Sequence, residues 1–434
     1  MNLDKEIMEL AEGMEQALIE RRRDIHCHPE TGWTEFRTAS LVIERLRQLG
    51  YAVQFGREVL SEADRMGVPD EAVLAAASER AAAEGAPQDI LEKLAGGRTG
   101  VVGLLDTGRP GKTVALRFDM DCNDVTEADD DEHRPAREGF ASRHKGCMHA
   151  CGHDGHTSVG LGVAEILAKL QDKLTGKVKL IFQPAEEGVR GARAMAAKGV
   201  ADDADYIIGS HFMMPKTGFL AYDVQNFLAT TKLNVEFKGV AAHAGGAPEQ
   251  GKNALLAAAA AALNLHAITR HSAGSSRINV GVLKAGTGRN VVPANAHMEI
   301  ETRGATTEIN DFIRQRAGQV IKGAAQMYDV DVNITPVGSA PGGTNSPELA
   351  ETIRTVAERL GIFDKLTDTY DMCGSEDFTY FMERLQKQGR QAAYIIVGGS
   401  LTAVNHNDRF DFDEHAMVLS AGLLSATVAE LLQG

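Results

Sequence analysis

Cysteine is scarce. Cys27, Cys122, Cys147, Cys151 and Cys373 are odd in number and spread thinly through 434 residues. That excludes a disulfide framework and predicts a reducing, cytoplasmic setting. Long apolar runs are missing too. Nothing approaches the ~18 consecutive apolar residues of a membrane span, and the richest run, Leu255 to Leu263, reads as a buried helix. The opening MNLDKEIMELAEG alternates acidic with apolar residues, so no signal peptide is expected. Basic residues are outnumbered: 45 Lys and Arg against 60 Asp and Glu leave a net charge of −15. That excess argues against nucleic acid or an anionic membrane as a partner, because both select basic patches. Internal repeats and low-complexity tracts are absent as well.

What remains is a globular balance, 43% hydrophobic and 24% charged, in a chain long enough for two or three domains. Helical periodicity is expected over 3–23, 35–49, 70–85, 156–170, 190–198, 253–268, 307–326, 347–360, 375–385 and 413–432. Strands are expected at 101–105, 113–118, 177–182, 205–210, 230–238, 277–284, 296–302, 330–335 and 392–397. Runs such as VALRF, VKLIF and YIIG are apolar on both faces, as buried parallel strands are. The fold class read from this is α/β, an open mixed sheet flanked by helices. Residues 223–336 instead pattern as an inserted α+β domain of four strands and two helices, between a first part at 1–222 and a second at 337–434. Segment 57–98 is a charged, Ala-rich helical insertion in the first part.

Three of the fourteen histidines fall in MHACGHDGH (148–156) with Cys151 and Asp154, a composition that suits a transition metal. The spacing lets Cys151 and His153 reach one ion. A capping loop before the next helix, or a closed structural zinc on Cys147, His149, Cys151 and His153, are the alternatives. The strand VKLIF runs into QPAEEG, where Glu186 and Glu187 can divide their roles, one on a metal and one as general base. His211 ends YIIGSH, Asp119 and Asp121 lie in RFDMD, and His406 lies in NHNDRFDFDE. Such strand-end donors obey the rule that open sheets bind ligands beyond the carboxyl ends of their strands. In the inserted segment, His243, Asn290 and Arg303 are candidates to polarise a carbonyl or clamp a carboxylate.

Taken in order, RFDMD, MHACGHDGH, FQPAEEG, GVAAHAG, GRNVVPA, GSEDF and NHNDRFDFDE resemble the M20 metallopeptidase family, in its amidohydrolase branch that cleaves N-acyl amino acids. The resemblance implies metal ligation by Cys151, His153, Glu187, His211 and His406, with Cys151 bridging two divalent ions, Mn²⁺ or else Zn²⁺. It implies Glu186 as the base and Asp121 as a carboxylate that orients a ligand. His243 would stabilise the oxyanion from a neighbouring subunit's lid domain, and Asn290, Arg303 and Gly374 would bind substrate. The inserted domain becomes a lid and dimerisation domain. Segment 57–98 with GWTEFRTA, NFLATTK and MCGSEDF points within the branch to cleavage of p-aminobenzoyl-glutamate into p-aminobenzoate and glutamate. It also points to a related second subunit or a homodimer as partner. A general N-acyl-amino-acid amidohydrolase, a dipeptidase, or a non-enzymatic structural-zinc module are the alternatives. The family's usual His pair is Asn405-His406 here, leaving His406 as the single ligand at that position.

Overall fold

The computed structural model describes residues 3–433, and the chain divides into two compact units. The first runs to Gln225 and takes in Thr344–Met372 and the chain from Tyr380 onward. The second comprises Asn226–Gly343 and Cys373–Thr379.

The first unit is built on an eight-stranded mixed sheet. Across it lie Ala52–Phe55, Val101–Asp106, Lys177–Gln183, Thr113–Asp119, Tyr206–Met213, Gln391–Gly398, Phe219–Ala221 and Lys365–Thr367. The four central strands are mutually parallel, so their carboxyl ends share one edge. Thr113–Asp119 is buried along its whole length, which is why its sequence shows no alternation. Helix His153–Lys169 packs directly on this strand. A Cβ at Gly160 would come within 2.6–2.7 Å of the Phe118 and Phe182 rings, so only glycine permits that approach.

The predicted helix 3–23 is two helices, Leu3–Gly13 and Glu15–Cys27. The break falls at Gly13, a poor helix residue with only Met14, which makes no side-chain cap, to follow it. The insertion holds Gln88–Leu94 in addition to the expected helix, Glu71–Ala83. Its Leu74, Ala77, Ala81, Ile90 and Leu94 are buried, and the Trp33 indole donates to the Met66 carbonyl at 2.8 Å. Three-residue strands such as Phe219–Ala221 escaped the sequence reading because they are too short to show a period. Helix His415–Gln433 has the length and apolar composition of a membrane span, yet 89% of that window is buried inside the fold, so it is a core helix.

The second unit is a four-stranded antiparallel sheet ordered Asp331–Ala340, Ala229–Lys238, Asn295–Gly304, Ser276–Ala285, with helices Ala254–His266 and Thr307–Met327. The alternation in Ala229–Lys238 sends Leu233, Val235 and Phe237 into a core with Ala257, Ala261, Met298 and Ile313. Side chains cap both helices: Asn253 accepts from the Leu256 N–H and Thr306 from the Ile309 N–H.

Candidate active site

The four parallel strands each deliver donors just past or at their carboxyl ends. Asp121 follows Thr113–Asp119, Glu186 and Glu187 follow Lys177–Gln183, His211 lies in the last turn of Tyr206–Met213, and His406 comes in the loop after Gln391–Gly398. Cys151 and His153 flank Gly152, whose φ of +85° makes the turn that starts helix His153–Lys169.

Five groups of potential ligand atoms lie within 4.8 Å of one another among the described residues, and three of them carry the predicted ligands: Cys151, His153 and His211; Cys151, Glu187 and His406; and His153, Glu186 and Glu187. The first two share Cys151. The Sγ of Cys151 is 3.4 Å from His211 Nε2 and accepts from the Asn405 amide at 3.3 Å. The departure from the usual His pair therefore places an N–H donor on the sulfur. Backbone carbonyls set the tautomers: His153 Nδ1–H donates to Asp121 O at 2.8 Å and His211 Nδ1–H to Phe212 O at 2.7 Å. Both Nε2 lone pairs are thereby left facing the cluster.

The buried His153 Nε2 and Glu187 Oε1 make no hydrogen bond and stand 4.0 Å apart, with His406 Nε2 3.4 Å from the same oxygen. Buried polar atoms are almost always paired, so this geometry fits divalent cations as the missing partners. The electrostatics agree. Burial and Glu187 push the Cys151 thiol up, but His211 and His153 outweigh them and bring it down to about 6. Against burial, His406 and His153 hold the Glu187 carboxyl at about 2. The cluster thus presents a thiolate and a carboxylate, with Cys151 and Glu187 raising His406 to about 10. His156 is no ligand, since its Nδ1 bonds Asp119 at 2.6 Å and its Nε2 accepts from the Phe212 N–H at 3.1 Å.

The Asp121 carboxylate accepts from the backbone N–H groups of both Glu186 and Glu187, at 2.9 Å each. Its main-chain carbonyl accepts from His153 Nδ1–H at 2.8 Å, and one carboxylate oxygen lies 3.5 Å from the same nitrogen. It therefore fixes the imidazole and the acidic turn together. Sequence reasoning missed Glu35, which supports the other side of that turn. Its Oε1 accepts from the N–H groups of Ala185 at 2.8 Å and Trp33 at 3.0 Å, and its Oε2 from the Thr99 hydroxyl at 2.5 Å. Ala185 and Trp33 sit at φ +51° and +71°, strain that these bonds hold in place. Burial first, and the Asp121 charge second, raise the Glu35 carboxyl. Its place in GWTEFRTA was the available signal.

Behind the cluster, the fully buried Arg22 binds Asp154 at 2.8 Å, Asp411 at 2.8 Å and Glu414 at 3.2 Å. Asp154 thus serves the scaffold. Cys147 and His149 join no ligand group among the described residues. Cys147 contacts the Pro29 and His144 carbonyls, and His149 lies beside His26, so the closed Cys147–His149–Cys151–His153 zinc set is not assembled.

The remaining predicted residues belong to the second unit. His243 is exposed, and its Nδ1 accepts from the N–H groups of Gly245 and Gly246 at 3.1 and 2.9 Å, which leaves the proton on Nε2. The Asn290 carbonyl accepts from Ala244 N at 3.0 Å, Arg303 pairs with Glu301, and the Gly374 carbonyl accepts from Leu228 N at 2.8 Å.

A family model described as Peptidase family M20/M25/M40 matches residues 115–430. The chain is 51% identical over 408 residues to the indole-3-acetyl-aspartic acid hydrolase of Enterobacter agglomerans, covering 94% of each. It is 50% identical over 408 residues to one subunit of the p-aminobenzoyl-glutamate hydrolase of Escherichia coli (strain K12), again covering 94% of each. The crystal structure of an aminobenzoyl-glutamate utilization protein from Klebsiella pneumoniae superposes with a TM-score of 0.84 at 43% identity, covering 99% of this chain and 98% of that one.

Proposed function

The chain belongs to peptidase family M20/M25/M40 and is a metal-dependent amide hydrolase, and from that premise we propose that it cleaves p-aminobenzoyl-glutamate to p-aminobenzoate and glutamate. The observation that carries the reading is the pair of buried atoms without a hydrogen bond, His153 Nε2 and Glu187 Oε1, beside a second carboxylate, Glu186. In this reading Cys151, His153, Glu187, His211 and His406 would hold two divalent cations, Mn²⁺ or else Zn²⁺, with Cys151 belonging to two of the ligand groups. Bound there, the ions supply a hydroxide-like water at neutral pH and polarise the amide carbonyl. Glu186 takes the proton from the attacking water and returns it to the leaving nitrogen. Asp121 positions both Glu186 and Glu187 through their backbone N–H groups.

Residues 223–336 serve as lid and dimerisation domain. In a homodimer, or in a complex with a related second subunit, His243 of the partner subunit donates Nε2–H to the developing oxyanion. Asn290 and Gly374 line the substrate, and Arg303 exchanges Glu301 for the free α-carboxylate of glutamate, to which its fork is suited. The net charge of −15 does not oppose a dianionic substrate, because several of the counted acids surround the cations. The small and odd number of cysteines supports a cytoplasmic setting.

A second reading, cleavage of an aromatic acyl-aspartate, is favoured by the 51% identical indole-3-acetyl-aspartic acid hydrolase. The test measures kcat/KM of the purified chain, with and without a co-expressed related subunit, on p-aminobenzoyl-glutamate, indole-3-acetyl-aspartate and N-benzoylglycine. A preference for p-aminobenzoyl-glutamate is expected. Equal turnover of N-benzoylglycine would replace the proposal with a general N-acyl-amino-acid amidohydrolase.

A further inference from the structure

Two cysteines that the metal cluster does not use stand together on the strand end that carries Asp121. Asn123 and Met148 form an isolated antiparallel bridge, exchanging N–H···O bonds of 3.0 and 3.1 Å. Cys122 and Cys147 precede them on either side, at diagonal positions whose side chains share one face, and the buried Cys122 thiol interacts with Cys147. Cys147 is half-buried and faces a cavity of about 510 Å³. One wall of that cavity is the insertion helix Glu71–Ala83, through Val73, Ala76 and Arg80, and Asp124 and Lys145 also line it. The loop and the insertion are tied together by His144, whose Nε2 lies 2.6 Å from Glu84 while its Nδ1 bonds the Pro29 carbonyl at 2.8 Å. Two cations against one carboxylate make the cavity attractive to an anion, and the buried Arg80 Nε makes no hydrogen bond. The hydrogen bond from Cys122 holds the Cys147 thiol below its ordinary range against burial, and Arg80 adds to that effect. Burial pushes Cys122 up. Cys147 is therefore the attacking sulfur and Cys122 the resolving one.

We propose that Cys122 and Cys147 are a thiol–disulfide exchange site that takes a small anionic disulfide through the cavity walled by the insertion, and that closing their bond slows the hydrolase. In the first step the Cys147 thiolate attacks one sulfur of the disulfide RSSR, forming a Cys147–S–S–R bond and releasing RS⁻. In the second, Cys122 loses its proton to solvent and attacks Cys147 Sγ, releasing the second RS⁻. The two protein thiols are oxidised by two electrons and RSSR is reduced to two thiols, so no further oxidant is needed. Diagonal positions of an antiparallel pair lie about 7–8 Å apart between Cα atoms, whereas a disulfide spans about 4.4–6.8 Å. Closure therefore draws the 121–123 strand toward the loop 147–149. That movement is felt at Asp121, on which the Glu186 and Glu187 N–H groups depend, and at Asn123, whose side chain accepts from Ala150 N at 3.2 Å.

The experiment treats the metal-loaded enzyme with glutathione disulfide and follows turnover of its best substrate, metal content, and peptide mass maps before and after dithiothreitol. The expected result is a cross-link joining the Cys122 and Cys147 peptides, lighter by two hydrogens. A fall in rate of about tenfold or more should accompany it, as for a sub-ångström displacement of a catalytic group, with full recovery on reduction. Cys122→Ser should stop at the glutathione adduct on Cys147, and Cys147→Ser should keep its basal rate and resist the oxidant. Inhibition that persists in Cys147→Ser overturns the assignment, because another thiol is then responsible. A cross-link with unchanged rate overturns the coupling to catalysis. None of these readouts depends on which acyl-amino acid is the substrate, so failure of the substrate proposal leaves them intact.

Discussion

Replacing Asp121 by Asn tests whether one buried carboxylate organises the acidic turn. Asp121 is fully buried, and its two oxygens each accept one backbone N–H at 2.9 Å. Hydrogen bonds to a charged acceptor contribute about 1.5–3 kcal/mol each. Asparagine keeps a single oxygen, so one of the two bonds is lost and an NH₂ group then faces the orphaned N–H. The other bond weakens to a neutral one worth about 1 kcal/mol. The turn at 185–187 should loosen by roughly 3 kcal/mol in all, and its strained Ala185 no longer has both supports. Loss of such a supporting group costs about 10–100-fold in metal affinity. Displacement of Glu186 by about 1 Å costs a further 100-fold in kcat, a deficit that saturating metal does not repair. Titration with Mn²⁺ or Zn²⁺ under metal-buffered conditions, followed by kcat at saturation, separates the two effects. Wild-type kcat together with wild-type metal affinity in Asp121→Asn would refute the account.

Other expectations can be checked on the same preparation. Glu186→Gln should retain metal by elemental analysis and lose about 10²–10⁴-fold in kcat, the range for a lost general base; near-normal turnover removes Glu186 from that role. Glu35→Gln should fold and turn over within a few-fold of wild type, because burial already favours the neutral acid and the amide can accept from Trp33 and Ala185 while donating to Thr99. Glu35→Ala should lower the denaturation temperature and kcat together, and equal damage in both variants would show that the charge of Glu35 is needed. Stability should fall on both sides of a mildly acidic optimum. Against burial, hydrogen bonds to Asp154 and Glu127 raise His26 to about 9, so its contribution, complete below its ordinary 6.5, fades as pH rises from there to 9. Against burial, His133 and His26 hold Glu127 at about 2, and Arg22 with Arg134 do the same for Asp411. Those contributions, complete above about 4.5, fade as pH drops toward 2. Thermal melts across pH 2–9 check this, and a flat alkaline limb would remove the His26 contribution.

Much was legible along the chain because the informative patterns are local. Runs at 114–118 and 178–182, each with a single charged residue among apolar ones and no strict alternation, mark strands buried on both faces, and the order of strands and helices sets a mixed open sheet. Donor types packed as in MHACGHDGH and PAEEG mark a metal site, since burying such groups side by side is costly without a cation to receive them. Only the tertiary structure decided which of those donors meet. Cys151 and His153 join His211 from a strand 60 residues later, while His149 and His156, equally promising by spacing, turn away to His26 and Asp119. The same holds for the supports: Glu35 reaches Ala185 across 150 positions, and Asn405 reaches Cys151 across 254. No local period encodes contacts of that range. They follow from burial, because a polar atom removed from water must find its partner wherever the packed core brings one within about 3 Å.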